Sequence, residues 1–142
     1  LPIFTSEAKE MFLEIKDYID TIFINTKDNI LFDVDSPTNL IAKLQDIQLD
    51  NALIIKNGVG IYSSDRTEYS FMKALDYQTL DITGYTSAII GAYISMRLQG
   101  ETRFESLKYA NALGAIQSSK IGAIRSIPKK SEVLEVIKRY YE

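Results

Sequence analysis

The chain has 142 residues, about the size of one domain, and 16 Lys and Arg against 19 Asp and Glu leave a net charge of −3. It contains no Cys and no His, which excludes disulfides, thiolate or imidazole metal sites, and Ser-His-Asp triads. No apolar run is long enough to cross a membrane, and the basic residues form no stripe typical of nucleic-acid binding. We therefore expect a cytoplasmic protein with neither a membrane nor a nucleic acid as partner.

The first half of the chain alternates strand and helix patterns. Pro2–Phe4 is typical of a strand, and short unalternating apolar runs at 21–24 and 52–55 predict buried parallel strands. Ser36-Pro37 predicts the start of a helix between those two strands. A first helix is predicted to bury Ala8, Met11, Phe12, Ile15 and Ile19, and the second to bury Leu40, Ile41, Leu44 and Ile47.

The second half is predicted to begin with strands and to end in helices. Residues 59–63 and 67–72 have the pattern of a β-hairpin, and a segment at 74–80 is predicted to lead as a strand into Gly84. Three helices follow, of which the first is apolar nearly all round and is expected to be buried, and the second covers 103–118. This order predicts the α/β class, with a mostly parallel sheet flanked by helices and a local β-hairpin.

Residues 80–88 are the strongest candidate for a binding site. Here a predicted strand ends, Gly84 turns the chain and a helix begins, and open α/β sheets bind ligands at such places. The free N–H groups and the dipole of the first helical turn favour an anion by about 0.3–1 kcal/mol. A purely structural interpretation also stays open, in which Thr83 or Thr86 caps the helix and Asp81 caps a turn or holds a neighbouring loop.

Four motifs, in order over about residues 20–128, resemble the ribokinase-like (PfkB-type) sugar and nucleoside kinases. The strand-to-helix turn of that family has the sequence D-T-T-G-A-G-D-A-F, and residues 81–89 stand in its place as D-I-T-G-Y-T-S-A-I. The other motifs are an N-x-x-carboxylate pattern at 25–28, a strand ending in K-N-G at 54–58, and an Ala-Asn-Ala-rich run at 109–115 followed by Gly122-Ala123 and Ile127-Pro128.

The resemblance implies a fold, a reaction and a place in a longer chain. The fold is a ribokinase-like α/β/α sandwich, and the reaction transfers the γ-phosphoryl group of ATP, with Mg²⁺, to a hydroxyl of a sugar or nucleoside. Residues 1–142 would form a single domain, the nucleotide-binding C-terminal half of a longer kinase-like chain. The start at Leu1 rather than Met leaves open a truncation, a processed product or an N-terminal half that precedes it. Dimerisation of family members through the other half implies a homodimer for the full-length chain.

The resemblance also assigns roles at the turn. Gly84, Tyr85 and Thr86 form the anion hole, and Ser87 stands at the position of the catalytic Asp. The G-A-G-D motif is degenerate here, because only Gly84 is kept. Ser87 is not ionised near neutral pH, and the loss of a general base typically lowers a rate by about 10²–10⁴-fold. Thr86 adds a β-branched side chain where the family has Gly, and Tyr85 could cover the hole.

The remaining implied site residues lie elsewhere in the chain. Lys56, Gly58 and Asn111 are implied in nucleotide binding, and Asn25 and Asp28 in organising Mg²⁺ and phosphate indirectly. Structural roles stay open, with Lys56 as a solvated charge and Asn111 as a buried amide bonded to the backbone. We therefore interpret the chain as a homologue of these kinases that is impaired by the loss of its base. The alternatives are a pseudokinase that binds a ligand or partner, and an active kinase whose base lies elsewhere.

Overall fold

The computed structural model describes residues 6–28, 32, 34 and 36–142, apart from the side chains of residues 6, 8 and 28. The predicted strand Pro2–Phe4 and the side chain of Ala8 lie outside this part. The chain divides into two compact units, the first of residues 1–57 and 62–70 and the second of residues 58–61 and 71–142. The described elements are α1 (Ser6–Ile15), β1 (Ile22–Asn25), α2 (Pro37–Asp46), β2 (Ala52–Lys56), β3 (Gly60–Ser64), β4 (Tyr69–Lys73), α3 (Tyr85–Leu98), α4 (Arg103–Ser118) and α5 (Lys130–Tyr141), with 3₁₀ turns at Lys16–Tyr18 and Thr26–Asp28.

The four strands of the described residues form one sheet in the order β1-β2-β3-β4. β1 and β2 are parallel, with Ile22 opposite Ala52 and Asn25 opposite Ile55. Residues 57–59 join β2 to β3, and residues 65–68 join β3 to β4, which is too short for a parallel crossover, so both of these pairs are antiparallel. The α/β class and the hairpin are thus confirmed, but the sheet is mixed rather than mostly parallel.

The core of the first unit lies between its helices and the parallel strand pair. Leu40 and Leu44 of α2 have no exposed surface and pack in one cluster with Ile24 of β1 and Ile54 of β2. Burial of a side chain of this size stabilises a fold by about 1.5–3 kcal/mol relative to leaving it in water. The predicted strand at 52–55 and the predicted apolar face of α2 are therefore confirmed.

The predicted buried face of this first helix is confirmed at Phe12 and at Ile19, which packs against the core cluster, and is wrong at Met11 and Ile15. Phe12 is buried, and its ring meets the Phe32 ring edge-on with centroids 6.2 Å apart. Met11 is 67% exposed and Ile15 is 55% exposed. The helix is rotated so that Leu13, on the other side of Phe12, packs against the core cluster instead. In so short a helix, apolar spacing alone does not decide which side of the central residue faces the protein.

The second unit is built around α4, which packs against α3 and α5. Residues 110–118 of α4 are buried, and Ile89 of α3 and Val133 of α5 have no exposed surface. The expectation that α3 is buried nearly all round is wrong, because Leu98 is 83% exposed. Only the stripe of α3 that faces α4 is withdrawn from water.

The strand predicted at 74–80 is also absent, and residues 74–83 take an irregular path. The backbone N–H groups of Leu80 and Asp81 both donate to the carbonyl of Ser118, over 2.8 and 3.1 Å. Ser118 is the last residue of α4, and its carbonyl has no partner within the helix. It accepts the two N–H groups that would bond to a neighbouring strand if residues 74–80 formed one. The turn at Gly84 therefore follows a loop tied to a helix end, and not a strand.

Candidate functional site: the Gly84 turn

The site predicted at Gly84 is a left-handed turn at the N-terminus of α3. Gly84 has φ +81° and is the N-cap residue of the helix. A Cβ atom at this position would lie 3.0 Å from the Cβ of Ala123, which would require a shift in addition to the unfavourable φ. The first hydrogen bond of the helix runs from Ala88 N–H to the Gly84 carbonyl, over 2.8 Å. Neither Thr83 nor Thr86 is the N-cap residue, so that alternative is wrong.

The carboxylate of Asp81 connects the residue before this turn to the loop at Gly122. One carboxylate oxygen accepts the N–H of Thr83 over 2.8 Å, and the other accepts the N–H of Gly122 over 2.8 Å. A hydrogen bond from the Thr83 side chain, together with the N–H bonds of Gly122 and Thr83, lowers the pKa of Asp81 below its ordinary value. Both structural roles left open for Asp81 are therefore present, since it closes a local turn and ties down a loop.

A buried amide forms the second connection. Gln117 of α4 donates from Nε2 to the carbonyl of Thr83 over 2.7 Å and to the hydroxyl of Ser126 over 3.0 Å. The Ser126 hydroxyl contacts the carbonyls of Gly122 and Ala123 in turn. The turn is thus fixed from the loop 122–126 as well as from α4. The sequence analysis missed Gln117 and Ser126, because no local pattern marks either residue.

The three residues after Gly84 have different surroundings. The edge of the Tyr85 ring lies 3.0 Å from the position that a Cβ on Gly114 would occupy, so the ring packs against α4. Burial raises the pKa of the Tyr85 phenol. Thr86 is half-buried and Ser87 is exposed on the first turn of α3. The side chain at the proposed base position therefore faces solvent, where a ligand can reach it.

In the first unit, the structure places predicted residues at the carboxyl ends of the two parallel strands. Asn25 ends β1, and its amide donates to the Oδ1 of Asn57, just beyond β2, over 3.2 Å. The Oδ1 of Asn25 accepts the N–H of Lys27 over 3.0 Å. Lys56 ends β2 and is half-buried. Gly58, the first residue of the second unit, has φ +73° in an exposed turn, and a Cβ there would meet nothing within 4 Å.

Comparison with known proteins points to sugar kinases. No family model matches the chain. It is 30% identical over 142 positions to fructokinase-1 of Zea mays, covering 94% of this chain and 44% of that protein. An E. coli protein assigned as a ribokinase II, in complex with ATP and Mg²⁺, superposes with a TM-score of 0.82 at 20% identity, covering 95% and 44% of the two chains. Arabidopsis thaliana ribokinase with ribose and ATP gives a TM-score of 0.78 at 21% identity, covering 89% and 43%.

The chain is related to the PfkB-type carbohydrate kinases. The resemblance drawn from its motifs, which are those of the C-terminal half of such kinases, is thereby confirmed. The structural neighbours also confirm the ribokinase-like α/β fold. The chain spans 42–46% of the length of the curated relatives it matches, so the activity of the whole protein is a separate question.

Asn111, assigned to nucleotide binding by the PfkB-type resemblance, has partners of its own in the second unit. Its amide donates to the carbonyl of Lys73 over 2.7 Å and to the hydroxyl of Tyr141 over 2.8 Å. It precedes Gln117 by six residues in α4, or about 9 Å along the helix axis. The structural role that the sequence left open for Asn111 is therefore present, and a role toward the nucleotide stays a prediction.

Acidic and metal-binding side chains are the groups that could hold the Mg²⁺ that PfkB-type kinases use with ATP. Within the described part of the chain, no group of three acidic or metal-binding side chains is gathered around one point. The side chain of Asp28, assigned with Asn25 to Mg²⁺, lies outside that part, although its backbone ends a 3₁₀ turn. No helix in the same part of the chain is long and apolar enough to cross a bilayer.

Proposed function

We propose that this chain forms the ATP-binding half of a PfkB-type kinase that transfers a phosphoryl group to a hydroxyl of a sugar or nucleoside. The observation that carries the proposal is the left-handed Gly84 turn at the start of α3, which is held by Asp81 and Gln117. The likeness to fructokinase-1, and to structures that contain ribose, ATP and Mg²⁺, supports this class of reaction and substrate. A cytoplasmic location, a single domain and a homodimer of the full protein stay predictions.

The turn suits a phosphate group for three reasons. The dipole of the 14-residue α3 places partial positive charge at its N-terminus, although the Tyr85 N–H already donates to the Ile82 carbonyl over 3.1 Å. Gly84 lets the backbone bend without a Cβ between the chain and a ligand. Ser87 is exposed at the same end. An anion bound here would receive backbone hydrogen bonds that are already oriented, which is how phosphoryl transfer is commonly stabilised.

We further propose that transfer is impaired, because a Ser stands at the position of the general base. The Ser87 hydroxyl can orient an incoming sugar hydroxyl by hydrogen bonding but cannot remove its proton as a carboxylate would. Mg²⁺ would arrive on the nucleotide phosphates, where it neutralises charge, with Asn25 assisting only indirectly. Because the Tyr85 ring packs against α4, it does not add bulk beside the ligand. Thr86 is then the substitution that adds bulk there.

The test compares base variants in the full-length protein. Ser87→Asp supplies a carboxylate, and Ser87→Asn supplies the same shape without charge. We expect Ser87→Asp alone to raise ATP-dependent phosphorylation of fructose or ribose only slightly, since Thr86 remains. Thr86→Gly with Ser87→Asp should raise it about 10²-fold, the lower end of what a general base contributes. A wild-type rate that equals that of the double variant would show that the base lies elsewhere.

A pseudokinase is the second candidate, and the Ser at position 87 is the observation that favours it. It predicts that the wild-type protein binds AMP-PNP with Mg²⁺ but transfers no phosphate to any sugar or nucleoside tried. Titration calorimetry with AMP-PNP measures binding, which both candidates predict. Phosphoryl transfer from ATP to a sugar or nucleoside separates them, because only the kinase adds turnover to binding. If neither binding nor turnover is found, the proposed function is refuted.

A further inference from the structure

Gln117 is a fully buried amide in the last turn of α4 to which neither the sequence pattern nor the family resemblance assigned a role. Its Nε2 reaches Thr83, immediately before the Gly84 turn, and Ser126 in the following loop, over 2.7 and 3.0 Å. All of these residues lie in the second unit. One side chain therefore joins α4, the start of α3 and the loop 122–126.

The atoms around this Nε2 are acceptors. The Thr83 carbonyl can only accept, and the Ser126 hydroxyl directs its hydrogen toward the carbonyls of Gly122 and Ala123. Both amide hydrogens are thus used. Exchanging the oxygen and nitrogen of the amide would set Oε1 against the Thr83 carbonyl at 2.7 Å, so these partners determine the orientation.

The other half of the amide is unused. Oε1 of Gln117 is buried and finds no donor among the residues that the structure describes. A buried acceptor without a donor destabilises a fold, so an apolar side chain would serve better if the position were needed only for packing. The contribution that sets Gln117 apart from an apolar side chain is therefore its NH₂ group.

We propose that Gln117 is the positioning residue of the phosphate-binding turn. In an α-helix that continued backward, the Thr83 carbonyl would accept the N–H of Ser87, four residues later. Here that carbonyl bonds to Gln117, and the helical bonds begin one residue further on, with Ala88 N–H to Gly84. Gln117 thereby fixes the residue just before Gly84, whose φ of +81° keeps the chain from winding into another helical turn, and the Ser87 N–H is left for an anion. The identity of that anion as a nucleotide phosphate rests on the proposed function.

The experiment uses two variants of the full-length protein, one that opens a cavity at position 117 and one that keeps this space filled. Gln117→Ala leaves a space bordered by Thr83 O and Ser126 Oγ, both acceptors, which an ammonium ion can enter and satisfy with its own N–H groups. Gln117→Met keeps the volume without a donor and leaves no space for an ion. Ser118→Ala is the matched control, because it removes a buried hydroxyl from the same helical turn. Among the described residues, that hydroxyl bonds back to the Ala115 carbonyl and to no other group.

Two readouts are measured, with ammonium chloride or tetramethylammonium chloride as the salt. They are hydrogen exchange of the amides of residues 85–88 and the affinity for AMP-PNP with Mg²⁺. Both Gln117 variants should exchange faster at 85–88 and bind about threefold to tenfold more weakly, the equivalent of one hydrogen bond. Ammonium should restore the slow exchange and the AMP-PNP affinity of Gln117→Ala but not those of Gln117→Met. Tetramethylammonium should restore neither readout in either variant.

Variants that match Ser118→Ala in both readouts would overturn the proposal. Equal recovery of Gln117→Ala and Gln117→Met in ammonium would also overturn it, because a general salt effect would then explain the loss. If the wild-type protein binds no AMP-PNP, the proposed function fails, and the exchange of residues 85–88 decides by itself whether Gln117 holds the turn.

Discussion

Three glycines of the second unit allow two contributions at the Gly84 turn to be measured separately, the left-handed φ and the close contact with Ala123. Gly84→Ala meets two penalties, a left-handed φ of +81° and a Cβ 3.0 Å from that of Ala123. Gly100→Ala meets only the first, because its φ is +86° and nothing lies within 4 Å of the added atom. Gly91→Ala meets neither, since Gly91 lies inside α3 with open space around it.

The expected magnitudes follow from these differences. The left-handed conformation costs an L-residue about 1–2 kcal/mol, which is the whole effect expected for Gly100→Ala. The close contact with Ala123 adds about 1–3 kcal/mol at Gly84, as in an overpacked core, so Gly84→Ala should destabilise by about 2–5 kcal/mol. Gly91→Ala should stabilise by about 0.5–1 kcal/mol, because Ala is the better residue in a helix interior.

Urea unfolding of the three variants and the wild-type protein measures these differences in the free energy of unfolding. The order of stability should be Gly91→Ala, wild type, Gly100→Ala, Gly84→Ala. Equal losses for Gly84→Ala and Gly100→Ala would mean that the loop at Ala123 moves aside and does not confine the turn. A neutral Gly84→Ala would refute the left-handed turn itself and, with it, the geometry on which the proposed phosphate site depends.

Two further predictions concern Asp81 and the core of the first unit. The hydrogen bonds of Thr83 and Gly122 lower the pKa of Asp81 in the folded protein, so its carboxylate stabilises the fold above the unfolded pKa of about 3.9 and loses this effect as the pH falls further. The difference in melting temperature between wild type and Asp81→Asn should therefore shrink below about pH 4, and a constant difference down to pH 3 would contradict this. Ile54 is fully buried in β2. Ile54→Val should lower the free energy of unfolding in urea by about 0.5–1.5 kcal/mol, and Ile54→Ala should lower it by about 2–5 kcal/mol. Near-equal losses would argue against close packing there.

Elements whose signals are local could be predicted from the sequence. The apolar run at 52–55 forms a fully buried strand, and Pro37 begins α2 as its fixed φ favours. The helix predicted over 103–118 has those bounds. In each case the residues that decide the structure lie within a few positions of the element, so hydrophobic spacing and capping residues suffice.

The loop at 74–83 could not be predicted in this way. The carbonyl that accepts the N–H of Leu80 belongs to Ser118, 38 residues later, and no local pattern shows that a helix end would take the place of a strand. Gln117 was missed for a related reason. Within an Ala-rich helix it is one more helix-forming residue, and its importance comes from Thr83 and Ser126, which only the fold brings to it.

The same limit applies to the altered motif, because the effect of a substitution depends on what the side chain touches. Tyr85 replaces a small family residue, and from the sequence it could obstruct the anion hole. Its ring instead packs against Gly114, where a Cβ would come within 3.0 Å of the ring and within 2.8 Å of Ile89. A large side chain on α3 is therefore matched by the absence of one on α4. Of the three positions at which the motif differs, this leaves Thr86 and Ser87 to alter the proposed chemistry, since a Ser accepts a proton far less readily than a carboxylate would.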